Sequence, residues 1–369
     1  MKIAIMGIRG IPANYGGFET FAEELSTRLV QKGHEVTVYG RTNIINYKDR
    51  TYKGVEIMLL PTISHKYFDT VAHTFLCVLH SFRRKFDVIL ICNSANAVFS
   101  IVPRLSGKKV AINVDGLEWQ RDKWNVAGKL FYRVSEFLST IFSDQVVTDS
   151  IFIREYYLKR FRKFSTFIPY GAPTKKEPTT EVLDTFKVKP ERYILYVSRM
   201  EPENNAHLVV KAFEHVKTDL NLVMVGDAPY STDYIKQLKS TKDHRIIFTG
   251  YVFGKGYREF QSHAYMYVQA TEVGGTHPAL LEGMGFGNCV LANDVPEHRE
   301  VIRDAGPYFK TSDWKDLRDK MQYLVDHPEI VKQYQEKAVA RIKEAYTWDR
   351  ISDRYENLFL KMNSRSKQK

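Results

Sequence analysis

Short apolar runs alternate with longer amphipathic segments along the first half of the chain. Residues 2–6 form an apolar run typical of a buried strand, and the apolar residues of segment 18–32 recur at helical spacing. The pattern predicts strands at residues 2–6, 35–39, 55–59, 87–92, 109–114, 145–148 and 165–168. It predicts helices at residues 18–32, 67–84, 95–105, 126–142 and 150–161. This alternation favours a parallel sheet covered by helices on both faces.

A second alternating series follows segment 169–178, which is rich in Pro, Gly and charge. Strands are predicted at residues 193–197, 221–225, 245–248, 265–268 and 289–292. Helices are predicted at residues 205–217, 231–239, 256–262, 278–286, 313–327 and 329–344, with a last helix from Trp348 to about Met362 and a frayed tail from Asn363. We therefore predict an α/β protein with domains at 1–172 and 173–345, followed by a terminal helix and basic tail at 346–369.

Length and composition agree with two globular domains. The chain has 369 residues, of which 44% are hydrophobic and 26% charged. No signal peptide and no membrane-spanning run is expected, and the three cysteines are scattered. The 11 histidines form no metal-ligand spacing. These features favour a cytoplasmic protein without a disulfide framework or zinc site.

Positive charge is concentrated in the first half of the chain. Residues 1–175 contain 25 Lys and Arg against 15 Asp and Glu, whereas the remainder holds 29 against 28. Segments 82–86 and 154–164 combine basic residues with Tyr, Phe and Leu. Such segments suit an anionic membrane surface, and on composition alone they also suit nucleic acid or a solvated basic helix. We expect the first domain to dock on anionic lipid.

The glycine-rich segment 271–285 carries the strongest chemical signal. Gly274, Gly275 and Thr276 precede Pro278, which suits the first turn of a helix. Free backbone N–H groups in such a turn bind phosphate, and Glu282 one turn into the helix suits the diol of a sugar. The alternative is an ordinary tight turn between a strand and a helix.

A second glycine pair, Gly16-Gly17, follows the first strand of the chain. It precedes the amphipathic helix predicted at 18–32. Two units of strand, glycine-rich loop and helix favour two Rossmann-like domains that face one ligand.

Six short segments in chain order resemble one enzyme family. They are residues 16–19, 168–172, 196–200, 248–252, 272–282 and 346–348. The chain resembles GT-B glycosyltransferases of family four, and among them the bacterial rhamnosyltransferases that build capsule and cell-wall polysaccharide on a lipid carrier. The resemblance implies two Rossmann-like domains facing a central cleft, with a C-terminal helix that crosses back to the N-terminal domain.

The resemblance also implies roles for individual residues. It assigns donor binding to Gly16, Gly17, Arg199, Asn204, Tyr251, Glu272, Gly274, Gly275, Thr276, His277 and Glu282. It assigns acceptor binding to Phe18, Asp115, Glu118 and Trp119, and catalytic roles to Arg199 and Asp115. Arg199 would pair with the donor diphosphate, Glu282 would hold the ribose hydroxyls, and Tyr251 would lie near the base.

The chain departs from the family pattern at three positions. Gly274 stands where the first of two paired Glu is usual, with Glu272 two residues earlier. Asn204 stands where a basic residue usually assists the diphosphate. Asp115 lies at or near the position of a His that binds the C6 hydroxyl of the donor sugar. A 6-deoxy sugar has no such hydroxyl, so the last departure favours rhamnose. An Asp at this position equally suits another hydroxyl of the donor sugar or a place facing the acceptor.

The sequence therefore predicts a retaining glycosyltransferase, peripherally bound to the inner face of the plasma membrane. Its donor would be dTDP-L-rhamnose, or alternatively a UDP-hexose, and its acceptor a polyprenyl-diphosphate-linked glycan. Catalysis would be mainly electrostatic, without a metal or cofactor.

Three alternatives belong to other functional classes. Gly7, Gly10 and Arg41 loosely suggest an NADP-dependent oxidoreductase, but the loop is too long and its glycines are misplaced. A nucleic-acid-binding protein would leave the phosphate turn and Glu282 without a purpose. The departures at Gly274 and Asn204 also suit a sugar-binding relative without catalytic activity.

Overall fold

A computed structural model describes residues 1–13, 16–65, 68–121, 124–228 and 231–367. The chain divides into two compact units. Unit 1 comprises Met1–Tyr170 and Trp348–Lys369, and unit 2 comprises Gly171–Thr347. The sequence-based boundaries lay after residues 172 and 345.

Unit 1 contains an eight-stranded sheet. Its strands are β1 (Lys2–Met6), β2 (Glu35–Arg41), β3 (Thr51–Tyr52), β4 (Val55–Leu60), β5 (Val88–Cys92), β6 (Lys109–Asn113), β7 (Gln145–Thr148) and β8 (Thr166–Phe167). Its helices are α1 (Gly17–Gln31), α2 (Asp69–Phe82), α3 (Ile101–Leu105), α4 (Val126–Phe142) and α5 (Ile151–Phe161), with 3-10 helices at Ser94–Ser100 and Glu118–Gln120. The strand order is β3-β4-β2-β1-β5-β6-β7-β8, and only β3 is antiparallel.

Unit 2 contains a six-stranded parallel sheet. Its strands are β9 (Tyr193–Val197), β10 (Asn221–Val225), β11 (Ile246–Gly250), β12 (Met266–Gln269), β13 (Cys289–Asn293) and β14 (Tyr308–Phe309). Its helices are α6 (Glu181–Thr185), α7 (Ala206–Phe213), α8 (Thr232–Leu238), α9 (Gly254–Ser262), α10 (Pro278–Gly285), α11 (Pro296–Ile302), α12 (Trp314–Asp326) and α13 (Pro328–Ala345), with a 3-10 helix at Pro202–Asn204. The strand order is β11-β10-β9-β12-β13-β14.

Continuous apolar strands form the centre of each sheet. β5 is buried at every residue, as expected for a parallel strand that is covered on both faces. In unit 1 the chain order reverses between β1 and β5, and in unit 2 it reverses between β9 and β12. Ligands of doubly wound sheets bind outside the carboxyl ends of the strands at such reversals.

The terminal helix α14 (Trp348–Lys367) belongs to unit 1. The Tyr355 hydroxyl accepts a hydrogen bond of 3.1 Å from the Asn113 amide at the end of β6, and its ring contacts Phe21 of α1. Asp349 accepts a hydrogen bond of 2.7 Å from Arg28. The predicted return of the last helix to the N-terminal domain agrees with these contacts.

The predicted α/β class with two Rossmann-like domains is confirmed, and most predicted elements lie within a few residues of the observed ones. The missed elements β3, β14, α6 and α11 are too short to show a periodicity. The helix predicted at 95–105 is instead a 3-10 helix followed by α3, and α14 continues past its predicted end at Met362. Residue 67, the predicted start of the second helix, and tail residues 368–369 lie outside the described residues. Among the helices described, none is long and apolar enough to cross a membrane.

Candidate functional site

Two loops of unit 2 emerge at the point where its sheet reverses order. β9 and β12 are hydrogen-bonded neighbours, with Tyr196 opposite Val268. The loop after β9 carries Arg199, and the loop after β12 carries the glycine-rich turn. Because both strands are parallel, both loops leave the same edge of the sheet. The fold therefore brings the predicted phosphate-binding groups of unit 2 to one edge.

The loop that carries Arg199 is fixed through its backbone. Its Ser198 N–H donates to the Val225 carbonyl, and a Cβ built on Gly226 would lie 1.8 Å from the Ser198 carbonyl oxygen. The Arg199 side chain is 37% exposed, and its nearest carboxylate is Glu201 at 3.6 Å. The backbone at Ser198 is thus anchored to the end of β10, whereas the Arg199 guanidinium remains accessible to an anion.

Asn204 lies beneath the same loop. Its side chain is buried, and its amide donates a hydrogen bond of 2.8 Å to the Arg199 carbonyl. The Tyr196 hydroxyl donates to the Asn204 carbonyl at 2.6 Å. Asn204, which the sequence predicts to bind the donor, therefore supports the backbone at Arg199.

The glycine-rich turn leads directly into α10, whose first residue is Pro278. The backbone N–H groups of Gly274 and Gly275 donate no hydrogen bond to any residue within the described ranges. A Cβ on Gly274 would lie 2.5 Å from Nε2 of His277. Two available amides at the positive end of a helix suit a phosphate oxygen.

A buried histidine determines which ring nitrogen of His277 carries a proton. His298 Nδ1 lies 2.9 Å from the Asn293 carbonyl oxygen, and burial lowers the pKa of His298 to about 4. The neutral His298 ring must donate from Nδ1, so its Nε2 accepts from His277 Nδ1 at 3.0 Å. His277 Nε2, which faces Gly274, therefore carries a proton only when the His277 ring is charged.

Glu282 is held by a chain of hydrogen bonds from α9. The Gln261 amide donates to the Tyr257 hydroxyl at 3.0 Å, and that hydroxyl donates to Glu282 Oε2 at 2.5 Å. Burial, and then the charge of Glu282, raises the pKa of Tyr257 well above its ordinary value. Tyr257 therefore stays protonated, and it orients a nearly buried carboxylate one turn into α10.

Glu272 has a different environment. Its Oε1 accepts hydrogen bonds from the Asn205 amide at 2.7 Å and from the Ser312 hydroxyl at 2.8 Å. Asn205 also donates to the Ala270 carbonyl and has a positive φ of 60°. Glu272 thus connects the loops that follow β9, β12 and β14.

Tyr251, the residue predicted to lie near the base, follows strand β11. Its ring stacks on Phe253 with a centroid distance of 5.4 Å and an interplanar angle of 19°. Both rings are more than one-third exposed. This pair is a flat apolar surface of the kind on which a nucleobase stacks.

In unit 1, Gly16 and Gly17 form the start of α1. A Cβ on Gly16 would lie 3.3 Å from Glu19 Oε2, and the other oxygen of Glu19 accepts from the Arg9 N–H at 3.0 Å. Burial raises the pKa of Glu19. The glycines therefore let the loop approach a buried carboxylate that organises it.

Phe18 and Asp115 both contact Tyr170. The Phe18 and Tyr170 rings meet edge to face at 6.2 Å, and the Tyr170 hydroxyl donates to Asp115 at 3.4 Å. Asp115 follows β6 with a positive φ of 60°, and its N–H donates to Asn113. Two predicted acceptor residues thus lie around one buried tyrosine.

The other two predicted acceptor residues lie on the 3-10 helix that follows. The Glu118 carboxylate pairs with Arg121 at 2.7 Å and accepts from the Trp124 indole at 3.2 Å. The Trp119 ring lies 4.2 Å from the Arg133 guanidinium. Glu118 is thus engaged within the protein, whereas Trp119 lines a cavity with residues of α4 and α5.

Sequence reasoning missed several residues that shape these sites. Tyr257 contacts Glu282 and His298 contacts His277, across 25 and 21 positions of sequence. Gln261 acts through Tyr257, and Gly226 packs against the Ser198 carbonyl beside Arg199. Only Gly226, in a Gly-Asp pair directly after a strand, gave a local signal. Among the described residues, no group of three or more His, Cys, Asp or Glu side chains could hold a metal ion.

Two family models match separate parts of this chain. Residues 181–341 match the family model described as glycosyl transferases group 1, and residues 1–173 match a domain of unknown function, DUF1972. The chain is 26% identical over 194 residues to trehalose synthase of Pyrococcus horikoshii, which covers 49% of this chain and 47% of the relative. It is 22% identical over 224 residues to D-rhamnosyltransferase WbpZ of Pseudomonas aeruginosa, which covers 58% of each. The chain thus spans about half the length of the curated relatives it matches.

Solved structures match over nearly the whole chain. Sucrose-phosphate synthase of Thermosynechococcus elongatus has a TM-score of 0.82 at 17% identity and covers 98% of this chain and 99% of its own. HepE of Anabaena, in complex with UDP-glucose, has a TM-score of 0.74 at 15% identity and covers 97% and 99%. These matches show the GT-B fold. They give the oxidoreductase alternative no support.

Proposed function

We propose that this chain, whose residues 181–341 form a glycosyl transferases group 1 domain, is a retaining glycosyltransferase that uses a nucleoside diphosphate sugar. The observation that carries the proposal is the pair of loops after β9 and β12. They supply an accessible guanidinium at Arg199 and available amides at Gly274 and Gly275. An oriented carboxylate, Glu282, lies one helical turn further on. Diphosphate and diol are the two recognition elements of such a donor.

The proposed reaction exchanges one bond at the anomeric carbon. The acceptor oxygen forms a bond to C1 of the donor sugar while the bond from C1 to the diphosphate oxygen breaks. The acceptor hydroxyl gives its proton to the leaving phosphate on the same face. Arg199, the amides of the glycine-rich turn and the helix dipole would stabilise the negative charge that develops on the diphosphate.

We further propose that the donor is dTDP-L-rhamnose. Asp115 occupies the region where relatives bind a C6 hydroxyl, which a 6-deoxy sugar lacks. A relative named D-rhamnosyltransferase, at 22% identity, supports a 6-deoxyhexose donor in general; its name refers to the enantiomer of L-rhamnose and does not bear on the L configuration. A UDP-hexose is the second candidate, because HepE, with the same fold, is described in complex with UDP-glucose.

The proposed acceptor is a glycan on polyprenyl diphosphate, at the inner face of the plasma membrane. The excess of 25 basic over 15 acidic residues in the first 175 supports an anionic lipid surface as its location. Asp115 would orient the acceptor or the donor sugar, with Glu118 as a weaker candidate. A polysaccharide of the capsule or cell wall would be the product.

Calorimetric titration with a panel of ligands tests the donor assignment. We expect dTDP-L-rhamnose to bind more tightly than UDP-glucose, and NADPH not to bind. Arg199→Ala should weaken binding of every nucleotide sugar, because the diphosphate is common to all of them. Tighter binding of UDP-glucose would select the second candidate, and binding of NADPH alone would contradict both.

A further inference from the structure

Helix α4 presents its apolar residues to solvent and its polar residues to the protein. The buried residues of α4 include Ser135, Glu136 and Ser139. By contrast, Leu130 is 62% exposed and Phe137 is 50% exposed. Other exposed apolar side chains of this helix are Val126, Phe131, Val134 and Ile141. This arrangement is the reverse of an ordinary surface helix.

Helices α2 and α3 extend the apolar surface. Phe75, Leu79 and Phe82 of α2 and Leu105 of α3 are exposed, although His73, Thr74 and Ser81 of α2 are buried. α2, α3 and α4 all pack against the 3-10 helix Ser94–Ser100. We call the exposed side chains of α2, α3 and α4 together the apolar face. Single exposed apolar residues are normal on a protein, but ten of them on three helices that pack against the same 3-10 helix are typical of an interaction surface.

Basic residues lie on, or directly after, the helices of the apolar face. The exposed or half-buried cations are Arg83, Lys85, Arg104, Lys108, Lys129 and Arg133. Lys108 Nζ lies 5.5 Å from the Phe82 ring. Of these cations, Arg104 pairs with Asp144 at 3.4 Å. The two acidic residues of the helices themselves offer little opposing charge, because Asp69 pairs with Arg41 and Glu136 is buried. Apolar side chains bordered by cations match an anionic bilayer better than a protein partner.

A cavity of about 230 Å³ adjoins the apolar face. It is lined by Trp119, Arg133, Glu136, Tyr156, Arg160 and Phe161. Phe137 of the apolar face contacts Phe161 with a centroid distance of 6.2 Å. Because a water molecule takes up about 30 Å³ in the liquid, a phosphate group with several waters fits this volume.

The two arginines of this cavity form no close ion pair with a described residue. Within the described ranges, Arg133 and Arg160 make no ion pair with a carboxylate at 4 Å or less. Glu136 is 2% exposed; its Oε2 accepts from Tyr156 at 2.9 Å, and its Oε1 has no hydrogen-bond partner among the described residues. Burial raises the pKa of Glu136 to about 7, against the opposing effects of Tyr156, both guanidiniums and the nearby Trp119 indole. Near neutral pH the cavity is therefore net positive.

We propose that the apolar face inserts into the acyl region of an anionic bilayer and that the cavity between Arg133 and Arg160 holds the phosphate of a lipid headgroup. The basic segment 154–164 contributes Arg160 to this site, whereas α2 and α4 supply the apolar contacts. This inference deepens the proposed function. It depends on that function only for the identity of the lipid. Its tests involve no nucleotide sugar, so the failure of either proposal is distinguishable.

Vesicle flotation tests the apolar face. The variant Leu130→Gln/Val134→Gln/Ile141→Gln should bind vesicles of phosphatidylcholine and phosphatidylglycerol at least roughly tenfold more weakly than wild type, because three apolar side chains no longer enter the bilayer. The control Tyr323→Gln/Leu360→Gln removes exposed apolar side chains outside the face and should bind as wild type does. Equal binding of the triple variant and wild type would overturn the membrane-docking role of α4.

A second set of variants tests the cavity. Arg133→Gln/Arg160→Gln should weaken binding to the same vesicles roughly 25-fold, at about fivefold for each lost charge. Glu136→Gln removes negative charge and should leave binding unchanged or tighter. Weaker binding by Glu136→Gln would instead indicate a carboxylate that accepts hydrogen bonds from a hydroxylated ligand, and would overturn the phosphate assignment.

Competition distinguishes a lipid phosphate from a free one. Inorganic phosphate, added at constant ionic strength, should not displace wild type from the vesicles, because it lacks the apolar contacts. If inorganic phosphate displaces wild type but not the Arg133→Gln/Arg160→Gln variant, the cavity binds free phosphate and the lipid assignment is overturned.

Discussion

Replacement of Glu282 by glutamine tests how the carboxylate recognises a donor. The Tyr257 hydroxyl already accepts from the Gln261 amide, so it must donate to the oxygen at position 282. The glutamine amide has one oxygen, and the Tyr257 hydroxyl donates its hydrogen bond to that oxygen. The other terminal atom of the substituted side chain is then an NH2 group, which is a donor where the carboxylate offered an acceptor.

The expected loss of nucleotide affinity follows from this replacement of an acceptor by a donor. A hydrogen bond to a charged group contributes about 1.5–3 kcal/mol, and the variant loses one such bond to the ribose hydroxyls. Since 1.4 kcal/mol corresponds to a factor of about ten, dTDP and UDP should bind roughly 10- to 150-fold more weakly. Isothermal titration calorimetry at constant salt measures this directly.

Glu272→Gln is the matched control. Glu272 accepts hydrogen bonds from Asn205 and Ser312, so its replacement should lower the free energy of unfolding by about 1–2 kcal/mol. Nucleotide affinity should stay within about threefold of wild type, since the hydrogen bonds of Glu272 connect loops of the protein. Unchanged affinity in Glu282→Gln together with weaker binding in Glu272→Gln would refute the reasoning and reverse the two roles.

Three further predictions concern the same unit. Arg199→Ala should lower turnover about a hundredfold, or roughly 3 kcal/mol, yet change stability little, because its ion pair with Glu201 is long at 3.6 Å and its own side chain is 37% exposed. Activity within about threefold of wild type would remove Arg199 from the site. Gly226→Ala should destabilise the protein by more than about 2 kcal/mol in urea unfolding, because the new Cβ would lie 1.8 Å from the Ser198 carbonyl oxygen. Gly250→Ala, which has open space at its Cβ, should destabilise it by about 1 kcal/mol. Equal effects of the two substitutions would contradict this reasoning. The pKa of His298 falls from 6.5 to about 4 on folding, so the unfolded chain takes up the proton first as pH decreases. Wild type should therefore lose about 2 kcal/mol of stability between pH 6.5 and about 5, a loss that His298→Gln should not show. Equal losses in the two proteins would refute this prediction.

Local patterns in the sequence were sufficient to predict the α/β class and the two Rossmann-like domains, whereas the GT-B fold was predicted from the resemblance of six short segments to one family. The fully apolar run of β5 and the helical periodicity of α1 are each contained within one segment. The glycine-rich turn was predictable for the same reason, because its glycines, Pro278 and Glu282 are close in sequence. Short elements such as β14 were missed, since two residues carry no period.

The contacts that orient the candidate site could not be predicted in this way. Tyr257 reaches Glu282 across 25 positions of sequence, and His298 reaches His277 across 21. Neither residue differs locally from an ordinary core aromatic or histidine. The reversed exposure of α4 also needed the structure, because an amphipathic pattern does not say which of its faces is buried.

Product analysis tests the central proposal most directly. The protein would be incubated with dTDP-L-rhamnose and a polyprenyl-diphosphate-linked glycan, and products identified by mass spectrometry and by NMR at the anomeric centre. The proposal predicts one deoxyhexose added per dTDP released, with the anomeric configuration of the donor retained and with Arg199→Ala nearly inactive. Transfer with inverted configuration would contradict the proposed mechanism, and release of no nucleotide from dTDP-rhamnose or any UDP-hexose would contradict glycosyl transfer itself.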